Sequence, residues 1–219
     1  MKMFAVKAKF FQSLKFQGVL LKRLITHSFL GAITWAIKGA KLPAPNYVKY
    51  RVLEREFLRS GICIETGTYL GETTSKLSKM YPLVVSIEPD EKLHSFVKMR
   101  LKRKSNVELV LGTSETRLSE VLSRVKDGSD VNFWLDGHFS GGFTFLGENV
   151  MPIIQELKVI SDNLARLDSV VVAIDDFRDL SCSSSGDLSR DFLVKFAQEN
   201  SLTWNVEHDM FFMRKGSVK

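Results

Sequence analysis

Five short apolar segments recur along the chain, ICI at 62–64, PLVVSIE at 82–88, VELVL at 107–111, VNFWL at 131–135 and SVVVAI at 169–174, with a helix-compatible stretch between each pair. Strands joined by helical crossovers must run parallel, so this alternation predicts an α/β sheet with helices on both faces. SVVVAI is apolar without interruption, as suits a central strand covered on both sides. Between the strands, Leu93, Phe96, Val97, Arg100 and Leu101 fall at helical spacings, as do Ile153, Leu157, Ile160 and Leu164. The segment NYVKYRVLEREFLRSG reads as a helix entering the domain and closed by Gly61, and LSEVLSRV as a helix after the third strand. Near the carboxyl end a helix over DLSRDFLVKFAQEN is followed by LTWNVE and MFFMRK, a closing strand pair. The expected fold is a doubly wound, Rossmann-like α/β domain, mostly parallel, with a terminal antiparallel strand. At 219 residues one such domain over 46–219 fits, preceded by an extension over 1–45.

Charge is unevenly placed. Residues 1–53 hold ten Lys and Arg and no Asp or Glu, leaving 21 basic and 25 acidic residues on the remainder. A phosphate-tracking surface needs cations on the body that carries the site, so this asymmetry makes nucleic acid an unlikely partner of the main domain. The apolar run LITHSFLGAITWAI has 14 residues, too few to cross a hydrocarbon layer of about 30 Å. A basic helix of this kind can pack on the domain, form a homodimer contact, lie on an anionic membrane surface or remain a mobile extension. LPAP at 42–45 marks the boundary. Two cysteines without paired spacing and no convincing cleavage signal point to a cytoplasmic protein, peripheral to the membrane if the basic helix binds there.

In doubly wound sheets ligands lie beyond the carboxyl ends of the strands, where strand order reverses. After the first strand comes ETGTYLG. Gly67 and Gly71 allow a tight turn into a helix with close approach of a ligand to the backbone, alongside Thr68. The loop lacks the GxGxxG of a dinucleotide site and the lysine of a P-loop. Glu65, which would repel a pyrophosphate, suits the cationic amino-acid or sulfonium part of a ligand, so S-adenosyl-L-methionine is favoured over a dinucleotide. Glu88 ends the second strand, where a carboxylate can accept both ribose hydroxyls. Gly112, Thr113 and Ser114 follow the third strand and are candidates for the adenine edge, or an ordinary loop and helix cap.

Asp136 ends the fourth strand, and Asp175 and Asp176 end the fifth. Three converging carboxylates need compensation, and oxygen ligands of this type suit a divalent cation, Mg²⁺ or Ca²⁺. The alternative has Asp175 capping a turn, Asp136 binding the cofactor or an amide, and Asp176 solvated. His138, in FWLDGHFSGG, is a candidate general base for a hydroxyl acidified by the metal, with Asp136 beside it in sequence. The glycine-rich stretch with Gly141, Gly142, Thr144 and Gly147, and the serine-rich loop at 180–187, have the composition of segments that close over a substrate.

ETGTYLG, VVSIEPD, LGTS, FWLDGH and AIDDFR together resemble the class I S-adenosylmethionine-dependent methyltransferases over about residues 46–219. FWLDGHFSGG with PIIQEL and IDDFR is similar to a group of small bacterial candidate methyltransferases. Metal-dependent O-methyltransferases place an Asp after the fourth strand and an acidic pair after the fifth. The resemblance therefore implies Asp136, Asp175 and Asp176 as ligands of Mg²⁺, and methyl transfer to a hydroxyl of a small molecule or sugar. Sugar-methylating members have one residue more between the Asp-Gly and the His than DGH has here. Competing expectations are a non-catalytic adenosyl-cofactor-binding protein, an NAD-dependent oxidoreductase and a nucleic-acid methyltransferase.

Overall fold

A computed structural model of the chain describes residues 28–136, 152–180 and 188–216. The chain divides into two units at Val52 and Leu53. In the first, Ser28 caps helix α1 (Phe29–Ile37) by accepting from the Gly31 amide at 3.1 Å. Helix α2 (Asn46–Glu56) carries the chain across the division and stops short of Gly61. Among the described residues, no helix is long and apolar enough to cross a membrane.

The second unit holds β1 (Ile62–Thr66), α3 (Glu72–Leu77), β2 (Val84–Glu88), α4 (Glu91–Arg100), β3 (Val107–Leu111), α5 (Ser114–Ser123), β4 (Val131–Leu135), α6 (Ile153–Asn163), β5 (Val170–Ile174), α7 (Arg190–Glu199), β6 (Thr203–Glu207) and β7 (Met210–Lys215). The strands form one sheet in the order β3-β2-β1-β4-β5-β7-β6. β3 through β5 are parallel, whereas β7 runs antiparallel to both β5 and β6. This is the doubly wound architecture expected from the alternation, with the antiparallel closing pair in place.

Local chemistry explains the element ends. Asp90 caps α4 by accepting from the Lys92 and Leu93 amides, and Glu91 and Arg100 sit at the dipole ends that favour them. Helix α5 begins at Ser114, earlier than the sequence pattern suggested, because Thr113 supplies the extended residue from which it starts. His208 and Asp209, both with positive φ, make the two-residue turn between β6 and β7, the backbone form that matches strand twist. One face of the sheet packs Ile64, Phe133, Leu135, Val172 and Ile174 against Leu118, Leu122, Leu157, Ile160 and Leu193 of the helices. That packing holds β1, β2, β4 and β5 side by side and fixes what their carboxyl ends can present.

Candidate functional site

Strand order reverses between β1 and β4. The Asp136 amide donates to the Thr66 carbonyl at 3.2 Å across this switch point, and the Asp175 amide donates to the Leu135 carbonyl at 3.2 Å beside it. The tips of β1, β4 and β5 are therefore joined in one row.

On the β1 side the chain turns through three positive-φ residues, Gly67 (83°), Tyr69 (49°) and Gly71 (73°). The turn is fastened to β2: the Gly67 amide donates to the Ile87 carbonyl at 3.1 Å, and the Tyr69 amide donates to Glu88 Oε2 at 2.7 Å. The other Glu88 oxygen accepts from the Asp90 amide at 3.0 Å. Each oxygen keeps a lone pair for another donor. Thr68 lies beneath the turn, its hydroxyl 2.6 Å from that of Ser86. Gly71 leaves room for α4, since a Cβ there would stand 2.7 Å from Val97 Cγ1.

Glu65 is fully buried, and its Oε2 accepts from Thr74 Oγ1 at 2.5 Å and Ser86 Oγ at 2.6 Å. Its Oε1 is buried without a hydrogen-bond partner. Gly112 has φ 139°, and a Cβ on it would meet Arg117 Nε at 2.7 Å, so the close neighbour there is that side chain. Thr113 and Ser114 open α5, with Thr113 Oγ1 3.2 Å from Thr116 Oγ1.

On the β5 side, Asp136, Asp175 and Asp176 each offer a carboxylate oxygen, and the three oxygens lie within 4.8 Å of one another. Asp175 is buried, and its Oδ1 accepts from the Asp176 amide at 2.8 Å. Asp176 has φ 54°, and its Oδ1 pairs with Arg178 at 2.9 Å. Arg178 also pairs with Asp209, whose Oδ1 accepts from the Arg178 amide at 2.7 Å. The β6–β7 turn thus anchors the loop that carries the acidic pair. Asp209 was not among the candidates, because its role depends on β7 lying next to β5. His138, Gly141, Gly142, Thr144 and Gly147 lie outside the described residues, as does most of the serine-rich loop.

Glu156 was also missed. It sits on α6 with no exposed surface, beside the hydroxyls of Thr66 and Ser114 but without a well-formed hydrogen bond to either. A signal existed, since Glu156 follows Ile153 by three residues and occupies the apolar stripe of that helix.

Burial raises the carboxyl groups of Glu65, Glu88 and Glu156 to about 7 each, outweighing the hydrogen bonds that lower Glu65 and Glu88. Each folded value lies above the ordinary one, so the folded state binds extra protons between about pH 4.5 and 7. Stability from these groups is complete below that window and lost as pH rises through it. The ligand-free protein should melt at a higher temperature at pH 6 than at pH 8, and Glu156→Gln should narrow the difference. Equal or higher melting at pH 8 would contradict this placement of the three carboxyls.

No family model and no curated protein matches the sequence. Solved structures do match. A candidate rRNA-methylase from Clostridium thermocellum superposes with a TM-score of 0.51 at 10 % identity, covering 77 % of this chain and 95 % of that one. A candidate methyltransferase from Streptococcus mutans, in complex with S-adenosylhomocysteine, gives a TM-score of 0.48 at 16 % identity over 80 % of this chain and 98 % of that one. An rRNA methylase from Streptococcus thermophilus gives 0.47 at 15 % identity, over 80 % and 96 %. The likeness to the Clostridium protein is one of fold alone, a mostly parallel doubly wound sheet with an antiparallel closing pair.

The Clostridium match corrects one expectation, that nucleic acid is an unlikely partner. The Clostridium protein that shares this fold is described as a candidate rRNA-methylase, so uneven charge does not set nucleic acid aside. A charge sum over the whole body conceals a local run. From Lys98 to Lys104 the chain carries five basic residues and no acid.

Proposed function

We propose that the protein is an S-adenosylmethionine-dependent methyltransferase acting on nucleic acid. The observation that carries the cofactor reading is the glycine turn at the tip of β1 tied directly to Glu88 at the tip of β2. A turn free of basic side chains beside a carboxylate fits a ribose next to a sulfonium better than a pyrophosphate. Bound there, S-adenosylmethionine supplies a methyl group activated on positively charged sulfur. The chain's own part is to orient and to exclude water. The Gly67 turn lets the ligand approach the backbone, Glu88 accepts ribose hydroxyls, and the joined tips of β1 and β4 set the acceptor beside it.

The acceptor reading is supported by the fold shared with a candidate rRNA-methylase and by the basic run on the sheet-bearing unit. The acidic trio favours a hydroxyl as the atom methylated. An all-oxygen donor set with three carboxylates in one cluster fits Mg²⁺, with Asp136, Asp175 and Asp176 as ligands. A cation held there would lower the pKa of an acceptor hydroxyl. His138, two residues beyond Asp136 in sequence, is the proposed proton acceptor.

Transfer of tritiated methyl from S-adenosylmethionine to total RNA tests the activity. Label should enter RNA in a Mg²⁺-dependent way. The double variant Asp175→Asn, Asp176→Asn should lose about 100-fold or more in rate while its affinity for S-adenosylhomocysteine stays within a few-fold. Full, Mg²⁺-dependent turnover in that variant would remove the cation from the account. Absence of label in RNA, with label in another acceptor, would remove the nucleic acid.

A further inference from the structure

The basic run that the charge sum concealed lines a groove between the end of α4 and the edge strand β3. Leu101, Val107 and Leu109 make its apolar floor, and Lys98, Lys102 and Lys104 stand along its rim. Lys98 and Lys102 are exposed, as is Arg103 beside them. The fifth cation of the run, Arg100, is committed elsewhere: it donates to the Leu70 carbonyl at 2.7 Å and pairs with Glu72 at 3.3 Å. The nearest acid on β3, Glu108, pairs with Arg124 at 2.7 Å. Among the described residues, no acidic side chain forms an ion pair with Lys98, Lys102, Arg103 or Lys104.

Lysines near a helix carboxyl end complement its dipole, and lysines on an edge strand discourage aggregation. One or two would serve either purpose. Three unmatched lysines on the rim of an apolar-floored groove, with Arg103 next to them in the chain, exceed both needs, and the extra charge is a cost unless an anion meets it. β3 is the edge strand of the sheet, so no further strand covers its outer side. The same helix abuts the cofactor turn. Val97 and Leu101 lie 2.7 and 3.6 Å from where a Gly71 Cβ would be, so the groove floor is one side chain away from that turn.

We propose that this groove docks the phosphate backbone of an RNA acceptor, with Lys98, Lys102 and Lys104 as the phosphate contacts. The proposal rests on the reading that the acceptor is nucleic acid. It adds a docking surface separate from the strand tips where transfer takes place. Ammonium groups on flexible stems bind phosphate as point charges without reading sequence, so the groove positions the strand and leaves base choice to the site.

The test uses the full chain and a short fluorescein-labelled single-stranded RNA of mixed sequence, titrated by anisotropy at several salt concentrations. The triple variant Lys98→Glu, Lys102→Glu, Lys104→Glu should bind at least about 10-fold more weakly at low salt. The slope of log K against log salt should shrink by about 2, as expected for three lost phosphate contacts on a single strand. The corresponding triple replacement by Gln should shift both quantities in the same direction, which guards against a folding artefact of charge reversal. S-adenosylhomocysteine affinity should be unchanged in both variants. Undiminished RNA binding in the triple variants would overturn the proposal, and its loss on replacing Lys7, Lys9 and Lys15 with Gln would move the contact to the amino-terminal segment. Wild-type protein that ignores RNA but binds phosphatidylglycerol vesicles through these lysines would also overturn it. RNA binding lost in the triple variants, in a protein that never binds S-adenosylhomocysteine, would uphold the docking surface and defeat the methyltransferase reading instead.

Discussion

Gly71→Ala should lower the unfolding free energy by about 2–4 kcal/mol, among the largest effects expected from a single methyl group in this chain. Two causes add. At φ 73° a Cβ is strained, at a cost of about 1–2 kcal/mol, and the new methyl would lie 2.7 Å from Val97 Cγ1. Val97 is fully buried on α4, so it cannot swing away without moving the helix. Adding Val97→Ala should recover the steric part and leave the backbone part, so the double variant should be less destabilised than the sum of the two single ones. Urea unfolding of the four proteins measures this. Simple additivity would mean that α4 does not press on the turn.

Glu88→Ala should raise the dissociation constant for S-adenosylhomocysteine by about 100-fold or more. Two hydrogen bonds to a charged acceptor, each contributing about 1.5–3 kcal/mol, account for at least that factor. The substitution also strands the Tyr69 and Asp90 amides that now donate to the two oxygens, loosening the turn that must receive the ligand. Because burial raises Glu88 to about 7, wild-type affinity should fall as pH drops through 7, where the carboxylate becomes protonated. Glu88→Gln should bind with intermediate affinity and show a flatter pH dependence. Calorimetry across pH 6 to 8 would reveal a cofactor that ignores this residue.

Much of this arrangement was legible before any coordinates. Parallel strands announce themselves as apolar runs, and their tips as the polar or glycine residues that follow, which is why Gly67, Glu88, Asp136 and the Asp175, Asp176 pair could be named. Their places along one edge of the sheet follow from β2, β1, β4 and β5 being successive neighbours, an outcome typical of doubly wound connectivity. What escaped depends on partners distant in sequence. Asp209 bonds Arg178 only because β7 inserts antiparallel beside β5, and no local pattern encodes that. At Gly112 a Cβ would meet the side chain of Arg117, five residues along, a contact that the local sequence does not announce. Glu156 was readable as a carboxylate on the apolar stripe of α6, but its neighbours Thr66 and Ser114 come from elements distant in sequence. The lysines of 98–104 were visible too, and were averaged away by a net charge that carries no position.

The central claim is that the hollow at the tips of β1 and β2 receives an adenosyl sulfonium rather than a dinucleotide. Titration calorimetry of the full chain with S-adenosylhomocysteine and, separately, with NAD tests it most directly. The account predicts saturable one-to-one binding of S-adenosylhomocysteine that is largely lost in Glu88→Ala, and no heat from NAD. Binding of NAD in its place, or S-adenosylhomocysteine affinity untouched by the loss of Glu88, would contradict it.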